Sequence, residues 1–297
     1  MSRDAPLAAH AVNRRRGKSA GLLAAALLAA PVLVGLAYAI GASLGVVAAA
    51  NDSQPSLARI ARVLGERATW DSVLWTLWVA ASATGLAVVG AVAVAVAFRG
   101  HARGDRVGRA LAALPLPMPH LVAGMLGVWL LGQSGIAARA AFALGLIVRP
   151  AEMPPLVYDR LGVGLVLTLA WKEMAFLAIV SSALLATRGA AAEEAARTLG
   201  ASPWETFRRV TWPLLWRGLA PAVVAVFVFV AGNYEAAALL APSDPLALPL
   251  LVAQRATDPD LARHADAYVA SVLLLVIASA AVAAHEWVRA RWEPFVP

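Results

Sequence analysis

Six long apolar runs, at about 20–48, 73–98, 111–131, 161–187, 214–240 and 267–288, alternate with short polar stretches along the chain. A helix that crosses a bilayer needs roughly 20 predominantly apolar residues. The pattern therefore predicts an all-α integral membrane protein with six transmembrane helices. The first run is preceded by a basic cluster, Arg14 to Lys18, and contains Ala37-Tyr38-Ala39, which is like a signal-peptide cleavage site. Its apolar stretch before that site is about 18 residues, longer than the 7–15 of a signal-peptide core. We read it as a retained helix.

The connecting segments carry their own signals. Residues 51–71 read as a loop with room for one surface helix, and Trp75 and Trp78 sit near that end of the second run, where indoles favour the membrane interface. Residues 99–109 form a short loop at the other end. Pro115, Pro117 and Pro119 interrupt the third run, and backbone exposed at that depth is tolerated only inside protein or along a cavity. The apolar stretch 140–148 is too short to span and reads as interfacial or re-entrant. Gly218 and Pro221 are expected to weaken the fifth helix near its start, and Pro242, Pro245 and Pro249 to make the following loop rigid and irregular. Neither an internal repeat nor a soluble domain is apparent.

Composition agrees: 61% of residues are hydrophobic, 14% are charged and mean hydropathy is +0.71. The net charge of +7 could suggest a nucleic-acid partner, but the placement of the basic residues argues otherwise. Sixteen of the 25 precede the first run or follow the second, fourth and last, against eight in the other loops and Lys172 within a span. That excess predicts cytoplasmic termini and no nucleic-acid face. With no cysteine, the chain can build neither a disulfide framework nor a thiolate site.

Patterns that resemble enzyme motifs fail on context. Gly41-Ala42-Ser43-Leu44-Gly45 matches a nucleophile elbow, yet it lies in an apolar helix, where Gly41 and Gly45 make a small-residue packing face. Gly17-Lys18-Ser19 looks like the end of a phosphate-binding loop, but five residues before Gly17 stands Val12. The histidines, His10, His101, His120, His264 and His285, show no ligand-like spacing. Ionisable residues at membrane depth are more informative, because burying them is costly. Lys172 and Glu173 lie inside the fourth run, and Asn233, Tyr234 and Glu235 near the far end of the fifth. Either these residues line a solute path, or Lys172 and Glu173 form an internal ion pair while Asn233 to Glu235 sit at a wet interface.

The remaining polar stretch, 193–213, reads as two short helices about a tight turn. Residues 192–199 are strong helix formers and Gly200 suits a left-handed helix end. Ser202, Pro203 and Glu205 then make a capping box with proline at the first helical position. Trp204, Phe207 and Thr211 share one face of the second helix. The spacing Glu194-Ala195-Ala196, three residues, Gly200, nine residues, Val210-Thr211-Trp212-Pro213 resembles the EAA loop of permease subunits of binding-protein-dependent type I ABC importers. Val210 and Trp212 replace the isoleucine and leucine of that pattern.

The resemblance implies a five-helix permease core over 70–290, containing a coupling loop at 190–213 that inserts into a cytoplasmic ATPase. The first helix and its loop, 20–69, precede that core, and a basic cytoplasmic tail at 1–19 and a second cytoplasmic tail at 291–297 flank the whole. In this reading Glu194 holds the loop's polar contacts, Gly200 the turn, and Trp204 and Phe207 an apolar plug. Ala195, Ala196 and Pro213 complete the coupling motif, and the solute path runs between the fourth and fifth spans. The implied assembly is an ABC ATPase dimer, which binds the ATP, a second permease subunit, an extracytoplasmic solute-binding protein and the lipid of a bacterial inner membrane. This chain would carry no cofactor and no catalytic or metal site. The wording of 200–210 and 232–251 looks most like the branch that moves polyamines, thiamine, iron or phosphonates. The alternative is a secondary transporter driven by an ion gradient; a lipid-modifying enzyme would need acids or histidines clustered near the interface, which the loops lack.

Overall fold

The structure, a computed structural model, describes residues 25–46 and 57–292. The tail expected at 1–19 lies outside the described residues. Among those described, six helices are long and apolar enough to cross a membrane. The first, α1 (Ala25–Ser43), stands at the edge of the bundle. It is tied there by an edge-on contact of Tyr38 with Tyr268 and by Arg59 Nη1, which donates to the Ala42 carbonyl at 3.0 Å.

The centre of the bundle is the pair α3 (Arg67–Ala97) and α7 (Val163–Leu184). Ala80, Ala83, Ala87, Ala91 and Ala95 recur every three or four residues on α3 and are all buried. A stripe of small side chains lets two helices approach closely, which is how transmembrane helices gain packing where burial from water offers little. Leu165, Leu169 and Leu177 of α7 fill the same core. Before α3 comes α2 (Ala58–Gly65), the surface helix expected in 51–71.

The third run departs from expectation. Instead of one span over 111–131, helix α4 (Arg103–Ala113) occupies most of the expected loop, and α5 (His120–Leu131) begins only after the three prolines. Prolines at alternate positions remove two of every four amide donors, so no helix can run through 114–119. At 1.5 Å per residue α5 is about 18 Å long, little more than half a bilayer core. It is followed by α6 (Ile136–Ala143), and only the two taken together, His120–Ala143, make the third of the six stretches that by length and composition could cross.

The fifth run is also divided, but elsewhere than expected. Helix α10 (Trp212–Ala231) passes through Gly218 and Pro221 unbroken. It stops at Gly232, and α11 (Tyr234–Leu240) restarts with Asn233 Oδ1 accepting from the Ala236 amide at 2.9 Å. The carbonyl that Pro221 leaves without a helical partner belongs to the exposed Arg217, where another donor can reach it. The loop after α11 is not wholly irregular: Pro249 sits in the first turn of α12 (Leu248–Ala256), where its missing amide is not needed. Helix α13 (Leu261–Trp292) closes the bundle. Arg62 pairs with Asp266, and Arg255 with Glu66, joining α2, α3, α12 and α13 at the end remote from 193–213.

Candidate functional site

The 193–213 elbow grows directly out of the two long helices beside it. Helix α7 passes through a π-helical segment, Leu185–Gly189, into α8 (Ala190–Thr198). After the turn, α9 (Pro203–Thr206) passes through a second π segment, Phe207–Thr211, into α10. The second short helix is thus the first part of the fifth span, not a separate piece. Pro213 explains the π geometry, since a residue without an amide cannot close the ordinary bond to the carbonyl four residues earlier.

Gly200 forms the turn with φ +86°, its amide donating to the Arg197 carbonyl at 2.9 Å while the Ala201 amide reaches Ala196 at 3.1 Å. These two bonds are the Schellman closure of a helix end. A Cβ at Gly200 would meet nothing within 4 Å, so only the backbone angle demands glycine. Gly200→Val therefore costs about 1–2 kcal/mol of local strain without a clash. We expect the variant to insert normally but to lose much of the link between ATP hydrolysis and uptake; equal hydrolysis-to-uptake ratios in variant and parent would refute this. On the other side of the turn Ser202 Oγ accepts from the Glu205 amide at 3.3 Å and Glu205 Oε2 accepts from the Ser202 amide at 3.0 Å, the expected capping box.

The polar contacts expected of Glu194 are made by its neighbour. Glu193 is only 5% exposed. Its Oε2 meets Arg99 Nη1, at the end of α3, at 2.5 Å and Arg197 Nη2 at 3.4 Å, while its Oε1 accepts from Thr211 Oγ1 at 2.6 Å. One carboxylate so ties α3, α8 and the base of α10 together. Glu194 is exposed, and its backbone carbonyl accepts from Thr198 Oγ1. Ala195 is exposed and Ala196 half-buried.

Trp204 is 66% exposed and starts a ladder of rings: Trp204 to Phe207 at 5.8 Å, Phe207 to Trp212 at 6.5 Å, and Trp212 to Trp216 at 5.5 Å. Phe207 is half-buried against the core, so the outward apolar surface comes from Trp204 together with Leu199, which is 88% exposed. Leu199 went unnoticed in the sequence because it continues an ordinary helical pattern.

The second group of expected residues lies at mid-depth, where α5 begins and α10 ends. Lys172 and Glu173 do not pair; successive helical residues point about 100° apart. Glu173 Oε1 instead meets His120 Nε2 at 2.8 Å, and the His120 ring packs on Phe229 at 4.7 Å. Lys172 Nζ points to the Leu116 carbonyl at 3.5 Å, inside the proline-rich turn. Glu235 Oε2 accepts from the Leu121 amide at 3.0 Å, capping α5. Asn233 is spent on its own helix, and Tyr234 is exposed. Residues from α7 and α11 thus hold one short segment, 116–121. His120 was dismissed in the sequence because its partner lies 53 positions away.

Helix packing around this segment is tight: a Cβ at Gly127 would come within 2.4 Å of Thr168 Oγ1. The family described as binding-protein-dependent transport system inner membrane component matches residues 85–293, which include the whole elbow and the mid-depth cluster. The chain belongs to this family. It is a multi-pass transport permease of the ABC importer kind, and not an enzyme.

The permease is 32% identical over 216 residues to the molybdenum transport system permease protein ModB of Mycobacterium tuberculosis, covering 71% of this chain and 76% of that one. Over 204 residues it is 28% identical to the sulfate transport system permease protein CysT of Synechocystis sp., covering 67% of each. The inner membrane ABC transporter permease protein YnjC of Escherichia coli is 30% identical over 149 residues, half of this permease and 29% of that chain. In fold, the permease superposes with a TM-score of 0.65 on a chain of a bacterial ABC transporter involved in the import of the acidic polysaccharide alginate. That match covers 94% of this chain and 98% of the other at 18% identity.

Proposed function

We propose that this permease lines the path by which a small tetrahedral oxyanion of the molybdate or sulfate kind enters the cell. The names of its relatives support that solute class over the polyamine, thiamine, iron or phosphonate group suggested by the elbow's wording. The observation that carries the coupling role is the elbow: a turn built on Gly200, presenting Glu194, Leu199 and Trp204 outward, at the joined ends of α7 and α10. We place that turn in a groove of a cytoplasmic ATPase dimer, which holds the ATP, and so place both termini in the cytoplasm. A binding protein delivers solute to the opposite end, and a second permease completes the path. Along it we assign the exposed Tyr234 and Glu235 to the lining, with His120 at its edge. Lys172, Glu173 and Asn233 are frame residues that hold the lining in place.

The test is uptake by the reconstituted assembly with its binding protein. Radiolabelled molybdate or sulfate is expected to accumulate only with ATP inside the assay compartment of the ATPase. Accumulation driven by an ion gradient without ATP would overturn the coupling role. Transport of spermidine, thiamine or ferric iron in place of the oxyanion would overturn the solute assignment alone.

A further inference from the structure

The segment following α5 has the build of a membrane anchor. Helices α5 and α7 meet at Gly127 and Thr168. Counting outward at 1.5 Å per residue, Leu131 and Val163 end at nearly the same level, about 6 and 7.5 Å beyond that contact. Trp75 Nε1 donates to the Arg160 carbonyl at 2.8 Å and Trp78 Nε1 to the Leu161 carbonyl at 2.9 Å, just past Val163. Trp75 is buried in the core, but Trp78 is 53% exposed, and an indole with one apolar and one hydrogen-bonded side marks the interface between lipid and water. Residues 132–148 therefore begin at the interface.

Several polar groups of this segment bond within the loop. Gln133 Nε2 donates to the Met153 carbonyl at 2.9 Å, the Val148 amide to Glu152 Oε2 at 2.7 Å, and Arg149 Nε meets Glu152 Oε1 at 3.2 Å. The Val148 amide, then Arg149, hold the Glu152 carboxyl below the usual carboxylate range. Gly145, at φ +71°, reverses the chain so that the Leu146 amide reaches the Ala141 carbonyl at 2.9 Å. The apolar side chains, by contrast, point out: Leu144 is 75% exposed, Leu146 73% and Val148 74%, with Phe142 beside them. A groove of about 330 Å³ runs under Phe142 and Val148, and exposed Arg139 stands on its rim.

We infer that residues 136–148 are a lipid-seated anchor: Phe142, Leu144, Leu146 and Val148 enter the boundary between acyl chains and headgroups, and Arg139 meets a phospholipid phosphate. A soluble partner that docks and leaves would strand these four side chains in water between visits, whereas lipid is always present. Arg139 donates through Nε to the Ser134 carbonyl at 3.2 Å, which aims its guanidinium while leaving the terminal nitrogens for an anionic group. That the leaflet is the outer one rests on the orientation proposed above.

The chain has no cysteine, so single spin labels can be placed in the complete reconstituted transporter without background. Labels at Leu146→Cys and, as an aqueous control at the same end, Thr257→Cys are compared by power saturation. At 146, collisions with oxygen should exceed those with nickel-EDDA several-fold, and at 257 the order should reverse. The excess at 146 should be larger in vesicles containing phosphatidylglycerol than in phosphatidylcholine alone, and Arg139→Gln should remove that difference. Dominant nickel collisions at 146, or a label shielded from both reagents by a neighbouring subunit or by added binding protein, would overturn the anchor. An absent headgroup effect would overturn the role of Arg139. Orientation is read separately, in intact cells with a membrane-impermeant thiol reagent: if Arg106→Cys reacts from outside and Thr257→Cys does not, the orientation falls while the lipid seat stands.

Discussion

Glu193→Ala is expected to abolish most coupled transport while leaving the protein in the membrane. The substitution removes the carboxylate shared by Arg99, Arg197 and Thr211, so that two guanidinium groups lose their counter-ion and the buried Thr211 hydroxyl keeps only its long bond to the Thr206 carbonyl. Breaking a buried pair costs 3–5 kcal/mol, but Arg99 keeps access to water, so about 2 kcal/mol is the reasonable expectation. The loss falls where the elbow is fastened to α3. Hydrolysis by the partner ATPase should therefore continue while solute uptake falls. Glu193→Gln, which can still accept from Thr211, should recover part of the uptake. Glu194→Ala should leave thermal stability of the permease unchanged, because that side chain is exposed. A Glu193→Ala transporter with parental uptake would show that the tie is ornamental.

The second large effect is expected at Trp204. Its ring is the outward end of the aromatic ladder, and exposed aromatic anchors that become buried in a partner commonly cost ~2 kcal/mol or more on truncation. Trp204→Ala should thus weaken ATPase binding by roughly 30-fold, measured as the dissociation constant in detergent. Phe207→Ala acts differently, since Phe207 lies between Trp204 and Trp212. Its loss lets the exposed ring settle inward, and we expect intact insertion with hydrolysis no longer tied to uptake. Unaltered affinity in Trp204→Ala would place the ATPase contact elsewhere on the permease.

Much of this architecture was legible in the sequence because a bilayer imposes length and polarity on each helix. The six spans and the turn at Gly200 follow from such local rules. The same rules misplaced two interruptions. Pro221 looked like a break but is absorbed in the middle of α10, where the carbonyl it frees belongs to the exposed Arg217, while Gly232-Asn233 was not read as a break although Asn233 caps a new helix. The three prolines were recognised as disruptive, yet that they leave α5 only half a crossing depends on its contacts with α7 and α11. Side-chain pairing was harder still. Nothing in a run of two glutamates tells which one turns inward, and the bond between His120 and Glu173 has no local signature. The cost of burying Glu173 did require some partner, and a search of all polar residues flanking the broken helices would have offered His120.

The continuity of α9, its π segment and α10 has a mechanical consequence. From Pro203 to Ala231 the chain is one helical unit of 29 residues, about 43 Å of rod at 1.5 Å per residue. Its lower tip carries Trp204, and its upper end stops beside His120 at Gly232. In the coupling role proposed above, a push on the tip would reach the middle of the bilayer as a tilt of the whole rod, with slack at the π turn near its base and at Pro221, where one helical bond is missing. Stiffening that turn should change how far each stroke carries, before it changes how tightly the motor grips.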